Sequence, residues 1–195
     1  MKQLRELWLI RHGETEWTLS GAHTGRTEIP LTPRGKERAQ AIAEYLGGRE
    51  FSLVLVSPRE RAQETCRIAG YRDIAAIDAD LSEWDYGAYE GLTTAEIRGE
   101  QPDWMLWRDG VPDGETIDEV AARAQRVIER CSAMGGAVAL FAHGHILRIL
   151  TACWLGLPPQ GGRFFALGTG TVSTLGFERE TRVVLRWNRS LEQVD

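Results

Sequence analysis

Two apolar runs in this chain are cut off by the same dipeptide. Leu7-Trp8-Leu9-Ile10 leads into Arg11-His12-Gly13, and Ala137-Val138-Ala139-Leu140-Phe141 leads into Ala142-His143-Gly144. Runs this short, apolar at every position and followed at once by turn chemistry, read as buried strands. In an open α/β sheet, ligands bind where the carboxyl ends of the strands emerge. The feature that sets the fold class therefore also delivers two imidazoles and an arginine to the edge where chemistry takes place. An Arg-His pair there, beside a glycine that lets backbone approach closely, suits a phosphoryl group.

The intervening segments supply helices. Thr32-Pro33 pairs an N-cap with a first helical position, Ala39, Ile42, Ala43 and Leu46 line one face, and Gly47-Gly48 stops the helix. Ser52 to Val56 is a further buried strand. Ser57-Pro58-Arg59-Glu60 reads as a capping box, which predicts a helix from there to about Gly70 with Arg61 in its first turn. A weak strand between Asp73 and Asp80, a short helix capped by Thr93 and Glu96, a long helix from Glu115 to about Met134 and a helix from Ile146 to Leu155 follow. From Arg163 to Arg189 apolar and polar residues alternate, as in edge strands. This order predicts an α/β fold in three layers: a central, largely parallel (mixed) sheet with helices on both faces. Residues 1–195 are expected to form one domain, with 81–114, long for a loop, as an inserted lid region whose core holds Trp104 and Trp107.

Composition removes several classes of function. A net charge of −5 leaves no electrostatic footprint for nucleic acid or an anionic membrane. No apolar run approaches a membrane span. Met1 to Glu6 places an acid ahead of a run too short for a signal peptide, so a cytoplasmic location is expected. The three cysteines, Cys66, Cys131 and Cys153, show no Cys-x-x-Cys, which argues against a disulfide framework or a zinc site. Oligomeric state leaves no mark in the sequence.

Four motifs then stand in order: Arg11-His12-Gly13, Ser57-Pro58-Arg59-Glu60-Arg61-Ala62, Leu81-Ser82-Glu83-Trp84-Asp85-Tyr86-Gly87 and His143-Gly144. Together they resemble the histidine phosphatase superfamily, which includes the cofactor-dependent phosphoglycerate mutases, and the resemblance covers nearly the whole chain. It implies a phosphoglycerate mutase-like fold and five catalytic residues. His12, as neutral imidazole, would attack phosphorus and form a phosphohistidine. Arg11, Arg61 and His143 would hold the equatorial oxygens, where transition-state charge spreads. Glu83 would protonate the leaving oxygen and then activate water; Asp80, Asp85 and Glu90 are neighbouring acids that compete for this role. No metal or other cofactor is implied, because arginines supply the positive charge.

The same resemblance extends to substrate binding. Thr24 and Gly25 match a phosphate-side pair, and Thr18 stands where the mutases usually carry asparagine. Glu83-Trp84-Asp85-Tyr86-Gly87-Ala88-Tyr89-Glu90-Gly91, Trp107-Arg108-Asp109-Gly110 and His143-Gly144-His145-Ile146-Leu147-Arg148 look like the sugar-bisphosphatase and acid-phosphatase branch, with Arg108 and Arg148 as candidates for a second phosphate. The chain lacks the insertion and tail with which the mutases exclude water, so hydrolysis of small sugar phosphates or bisphosphates is expected. Two other readings stand beside it: a cofactor-dependent phosphoglycerate mutase, and a non-enzymatic phosphate-sensing domain. His143-Gly144-His145 also invites a metal, but without clustered carboxylates it makes no site. Cys66 and Arg72 have the Cys-x5-Arg spacing of cysteine phosphatases, yet Cys66 falls inside a predicted helix rather than at a strand end.

Overall fold

A computed structural model describes residues 4–191. Met1, Lys2 and Gln3, which enter the leader argument, and the last four residues of the 1–195 span lie outside the described residues. Six strands form one sheet in the order β3-β2-β4-β1-β5-β6. They are β1 (Leu4–Arg11), β2 (Leu53–Val56), β3 (Ala75–Ile77), β4 (Gly136–Ala142), β5 (Val172–Glu178) and β6 (Thr181–Arg189). The first four run parallel to one another, and β5 and β6 are antiparallel additions beyond β1.

Strand residues alternate between faces, and each face meets its own helices. Leu7, Leu9, Val138 and Leu140 pack with α6 (Ile117–Ala133) and α7 (Gly144–Trp154). Trp8, Ile10, Ala139 and Phe141 pack with α2 (Pro33–Leu46) and α3 (Glu60–Ile68). This is the three-layer mixed α/β arrangement that the motif order predicts. Thr32 caps α2 by accepting from Gly35 N, and Gly47 ends it at φ 56, a left-handed conformation that costs glycine least.

Two expectations need correction. The capping box at Ser57 does not form: α3 begins at Glu60, its N-cap Arg59 makes no side-chain cap bond, and Glu60 N donates instead to Glu28 Oε2 at 3.0 Å. A carboxylate from a distant loop has taken the serine's task, while the Ser57 hydroxyl accepts from Arg59 N at 3.3 Å. The C-terminal stretch is not all edge, because β5 lies between β1 and β6 and five of its seven residues are buried. Its alternating pattern reflects two different helix layers and a neighbouring strand, which local periodicity does not distinguish. Residues 81–114 are partly exposed and partly packed. They carry α4 (Thr94–Glu100) and α5 (Leu106–Asp109), and Leu81, Trp84, Tyr86, Ile97, Trp104, Leu106 and Trp107 join the larger core.

The loop after β1 is pressed against α2. A Cβ on Gly13 would lie 2.3 Å from Gly35 O, and one on Gly35 would lie 2.2 Å from Glu14 O. Gly13→Ala is expected to cost about 1–3 kcal/mol or more, since backbone must move to admit the methyl. Thermal unfolding of that variant should show the loss; an unchanged midpoint would mean the close approach relaxes freely.

Candidate active site

Three parallel strands end side by side, and the residue just past each end carries a polar side chain. His12 N donates to Ala142 O at 3.0 Å and Ser57 N donates to Phe141 O at 2.9 Å. His12, Ser57 and His143 therefore continue the register of β1, β2 and β4 by one step. The His12 and His143 rings meet edge to face with centroids 5.1 Å apart. His143 Nε2 lies 2.7 Å from Ser57 Oγ. His12 Nδ1 lies 2.7 Å from Gly13 O. A carbonyl only accepts, so the His12 proton sits on Nδ1 and Nε2 keeps its lone pair.

Two guanidinium groups surround these rings. Arg11, the last residue of β1, donates through one terminal nitrogen to Leu167 O and packs against Gly144, whose Cβ would come 3.3 Å from Arg11 Cζ. Arg61, in the first turn of α3 and 1% exposed, donates to Thr27 O at 3.0 Å, Thr24 O at 3.0 Å and Gly25 O at 3.1 Å. The Nε atoms of Arg11 and Arg61 and the Nδ1 of His143 are buried without a partner among the described residues. Buried cations and unpaired donors are costly unless an anion compensates them. Such a cluster is built to receive a tetrahedral oxyanion.

Glu83 joins it from the segment before α4. It is 8% exposed, and its carboxylate accepts from Trp84 N, His145 N and Ile146 N, each at 3.0 Å. The last two donors are the free amides of the α7 N-terminus, where negative charge is favoured. Glu83 raises the pKa of both Arg11 and Arg61 against the lowering effect of burial, so its charge lies within reach of both. The other acids are engaged elsewhere. Asp80 pairs with Arg126 and Arg130 at 2.6 and 2.7 Å, Asp85 with Arg26 at 2.5 Å, and Glu90 with backbone amides.

The substrate-side candidates divide. Thr24 and Gly25 adjoin the cluster through the carbonyls that Arg61 holds, although Gly25 N is committed to Glu90. Arg148 stacks over Trp107 at 4.6 Å and donates to Gly162 O at 3.1 Å. Burial, then the charge of Arg11, lowers its pKa, which places it near the cluster. Thr18 and Arg108 are not brought in. The Thr18 hydroxyl closes a capping box at α1 (Glu16–Ser20) with Thr15. The Arg108 side chain is 58% exposed on α5 and its fork is taken up by Asp109 at 2.7 Å and Asp103 O at 2.5 Å, a local pairing that leaves it facing solvent. Cys66 is buried inside α3 with its thiol pushed up to about 12 by burial, so it offers no thiolate.

Other members escape sequence reasoning. Ser57 reads as a helix cap, yet it is the first polar residue after a buried strand, the same signal that singles out His12 and His143. Tyr86, fully buried, holds His145 Nδ1 at 2.6 Å. Arg123 reaches from α6 to Asp80 O at 2.8 Å, Ser82 O at 2.9 Å and Glu115 at 2.7 Å, bracing the backbone that carries Glu83. No local motif marks these last contacts, because each spans a large sequence separation.

Burial, followed by the nearby arginines, holds His12 and His143 well below the ordinary 6.5, and burial does the same to His145. The unfolded chain takes up protons at these rings as pH falls through about 6.5, while the folded chain resists. Their contribution to stability is complete above 6.5 and is lost as pH falls from there toward the folded values. Melting temperature is thus expected to drop between pH 6.5 and 5; a flat profile there would contradict the buried neutral rings.

The sequence model of the histidine phosphatase superfamily (branch 1) matches residues 7–190. An acid phosphatase of Mycobacterium tuberculosis is 40% identical over 180 residues, 90% of this chain and 88% of that protein. A sedoheptulose 1,7-bisphosphatase of Saccharomyces cerevisiae is 35% identical over 185 residues, 78% of this chain and 68% of that protein. The solved structure of the M. tuberculosis open reading frame Rv3214 superposes with a TM-score of 0.89 at 37% identity, over 96% of this chain and 99% of that one.

Proposed function

This chain belongs to branch 1 of the histidine phosphatase superfamily, and we propose that it hydrolyses small sugar phosphates or bisphosphates through a phosphohistidine on His12, without a metal. It is a phosphatase of phosphomonoesters, as its acid phosphatase and bisphosphatase relatives are named. The observation that carries the mechanism is the 2.7 Å contact of His12 Nδ1 with Gly13 O, which assigns the proton to Nδ1 and leaves Nε2 a lone pair inside a cluster of buried cations.

Glu83 takes up the proton of the phosphomonoester monoanion as it binds; Nε2 of His12 then attacks phosphorus in line as the ester P–O bond breaks, and Glu83 passes that proton to the departing oxygen. Arg11, Arg61 and His143 hold the three equatorial oxygens, and each such donor contributes about 3 kcal/mol to the transition state. In the second half Glu83 takes a proton from water, the water oxygen attacks phosphorus, and the P–N bond breaks to release phosphate. The lowered pKa of His12 keeps it nucleophilic in mildly acidic solution. Thr24 and Gly25 would border the phosphate site, and Arg148 would meet a second phosphate. Segment 81–114 acts as the lid. The three free cysteines suit the cytoplasm.

A panel of sugar bisphosphates, monophosphates and phosphoglycerates, assayed with a chelator present, tests this reading. Release of phosphate, with sugar esters ahead, is expected. Interconversion of phosphoglycerates faster than their hydrolysis would favour a mutase instead, and phosphate binding with no turnover a sensor.

A further inference from the structure

The cluster has a support on its outer side that neither the motifs nor the mechanism uses. Residues 24–27 form a strap across the Arg61 guanidinium. Among the described residues, the strap's carbonyls, from Thr24, Gly25 and Thr27, accept the bonds that the Arg61 terminal nitrogens make. Its amides point the other way, and one carboxylate collects them. Gly25 N lies 2.9 Å from both oxygens of Glu90, and Thr27 N lies 3.0 Å from Glu90 Oε1.

Glu90 and Arg61 thus grip the 24–25 peptide from opposite sides, Arg61 at Thr24 O and Glu90 at Gly25 N. Backbone amides that converge on a carboxylate form charge-assisted bonds, stronger than neutral ones, and polarising the 24–25 peptide makes Thr24 O a better acceptor for the guanidinium. The fit is close: a Cβ on Gly25 would lie 2.8 Å from Glu90 Oε2 and 2.6 Å from Trp84 O. Two further ties hold the strap's far end, Arg59 to Arg26 O at 3.0 Å and Glu60 N to Glu28 at 3.0 Å, but neither touches the peptides that Arg61 uses between 24 and 25.

We propose that Glu90 is a positioning residue: it fixes the strap whose carbonyls aim the Arg61 guanidinium, and so sets how well Arg61 holds a phosphoryl group. The inference rests on the reading of Arg61 as a phosphate ligand. Glu90 touches neither phosphate nor the reacting atoms; it acts through Arg61.

A double-mutant cycle on binding of inorganic phosphate, followed by calorimetry, separates this role from general support of the fold. Glu90→Ala should weaken phosphate binding about ten- to a hundredfold, the usual range for a group that orients a ligating side chain. Glu90→Gln keeps an oxygen for the strap amides and should recover most of the affinity; it also serves in the cycle should the alanine variant fail to fold. In an Arg61→Ala background the Glu90 substitution should change affinity less than twofold, because its target is gone. Equal losses in both backgrounds, or unchanged binding by Glu90→Ala, would overturn the proposal while leaving Arg61 as a phosphate ligand. Unchanged phosphate binding by Arg61→Ala alone would overturn both.

Discussion

Replacing His12 by alanine is expected to lower phosphomonoester turnover by about four to six orders of magnitude, the scale on which removing a nucleophile acts. The expectation follows from the ring's surroundings rather than from its identity alone. Its Nδ1 is spent on Gly13 O, and burial, then Arg61 and Arg11, hold the ring neutral, which leaves one lone pair and a ready electrophile site among cations. The Cys66 thiol, pushed up to about 12 by burial, supplies no thiolate in its place. Phosphate should still bind, since Arg11 and Arg61 remain. The check is kcat on an aryl phosphate together with a phosphate Kd and a melting curve. Residual turnover above about one per cent of wild type would place the nucleophile elsewhere.

The second large effect is selective. Glu83→Gln is expected to cost about two to four orders of magnitude with an alkyl or sugar phosphate, the usual worth of general acid–base catalysis. With p-nitrophenyl phosphate the loss should be much smaller, because that leaving group departs without a proton. The substitution also sets an amide nitrogen against one of the donors Trp84 N, His145 N and Ile146 N, which costs about 1–3 kcal/mol of stability. A fall in melting temperature is therefore expected and is not the test. The test is the ratio of the two substrates, and equal losses would remove Glu83 from proton transfer.

Much of this architecture is legible in the sequence because its elements carry strong local signals. Apolar runs ending in His-Gly locate β1 and β4 and place both histidines at one sheet edge; Thr32-Pro33 and Gly47-Gly48 bound α2 within a residue. The misses share a physical cause. Ser57-Pro58-Arg59-Glu60 has the composition of a cap, but Glu28 outcompetes Ser57 for the Glu60 amide, and nothing local reveals a carboxylate arriving from 32 residues away. Arg108 matches a motif, yet Asp109 beside it captures the guanidinium. Arg123 and Glu90 act through distant backbone and Tyr86 through the distant His145 ring, so their roles exist only once the sheet has assembled. Strand ends and helix caps are local statements; bracing networks are tertiary ones.

One measurement bears most directly on a covalent intermediate at His12. The enzyme is mixed rapidly with labelled phosphomonoester, quenched in alkali, digested, and the labelled peptide sequenced. A phosphoramidate, stable in base and lost in acid, on the peptide that contains His12 is the predicted result. Label on a serine, on a cysteine or on the His143 peptide, or a burst of product with no label on the protein, would contradict it.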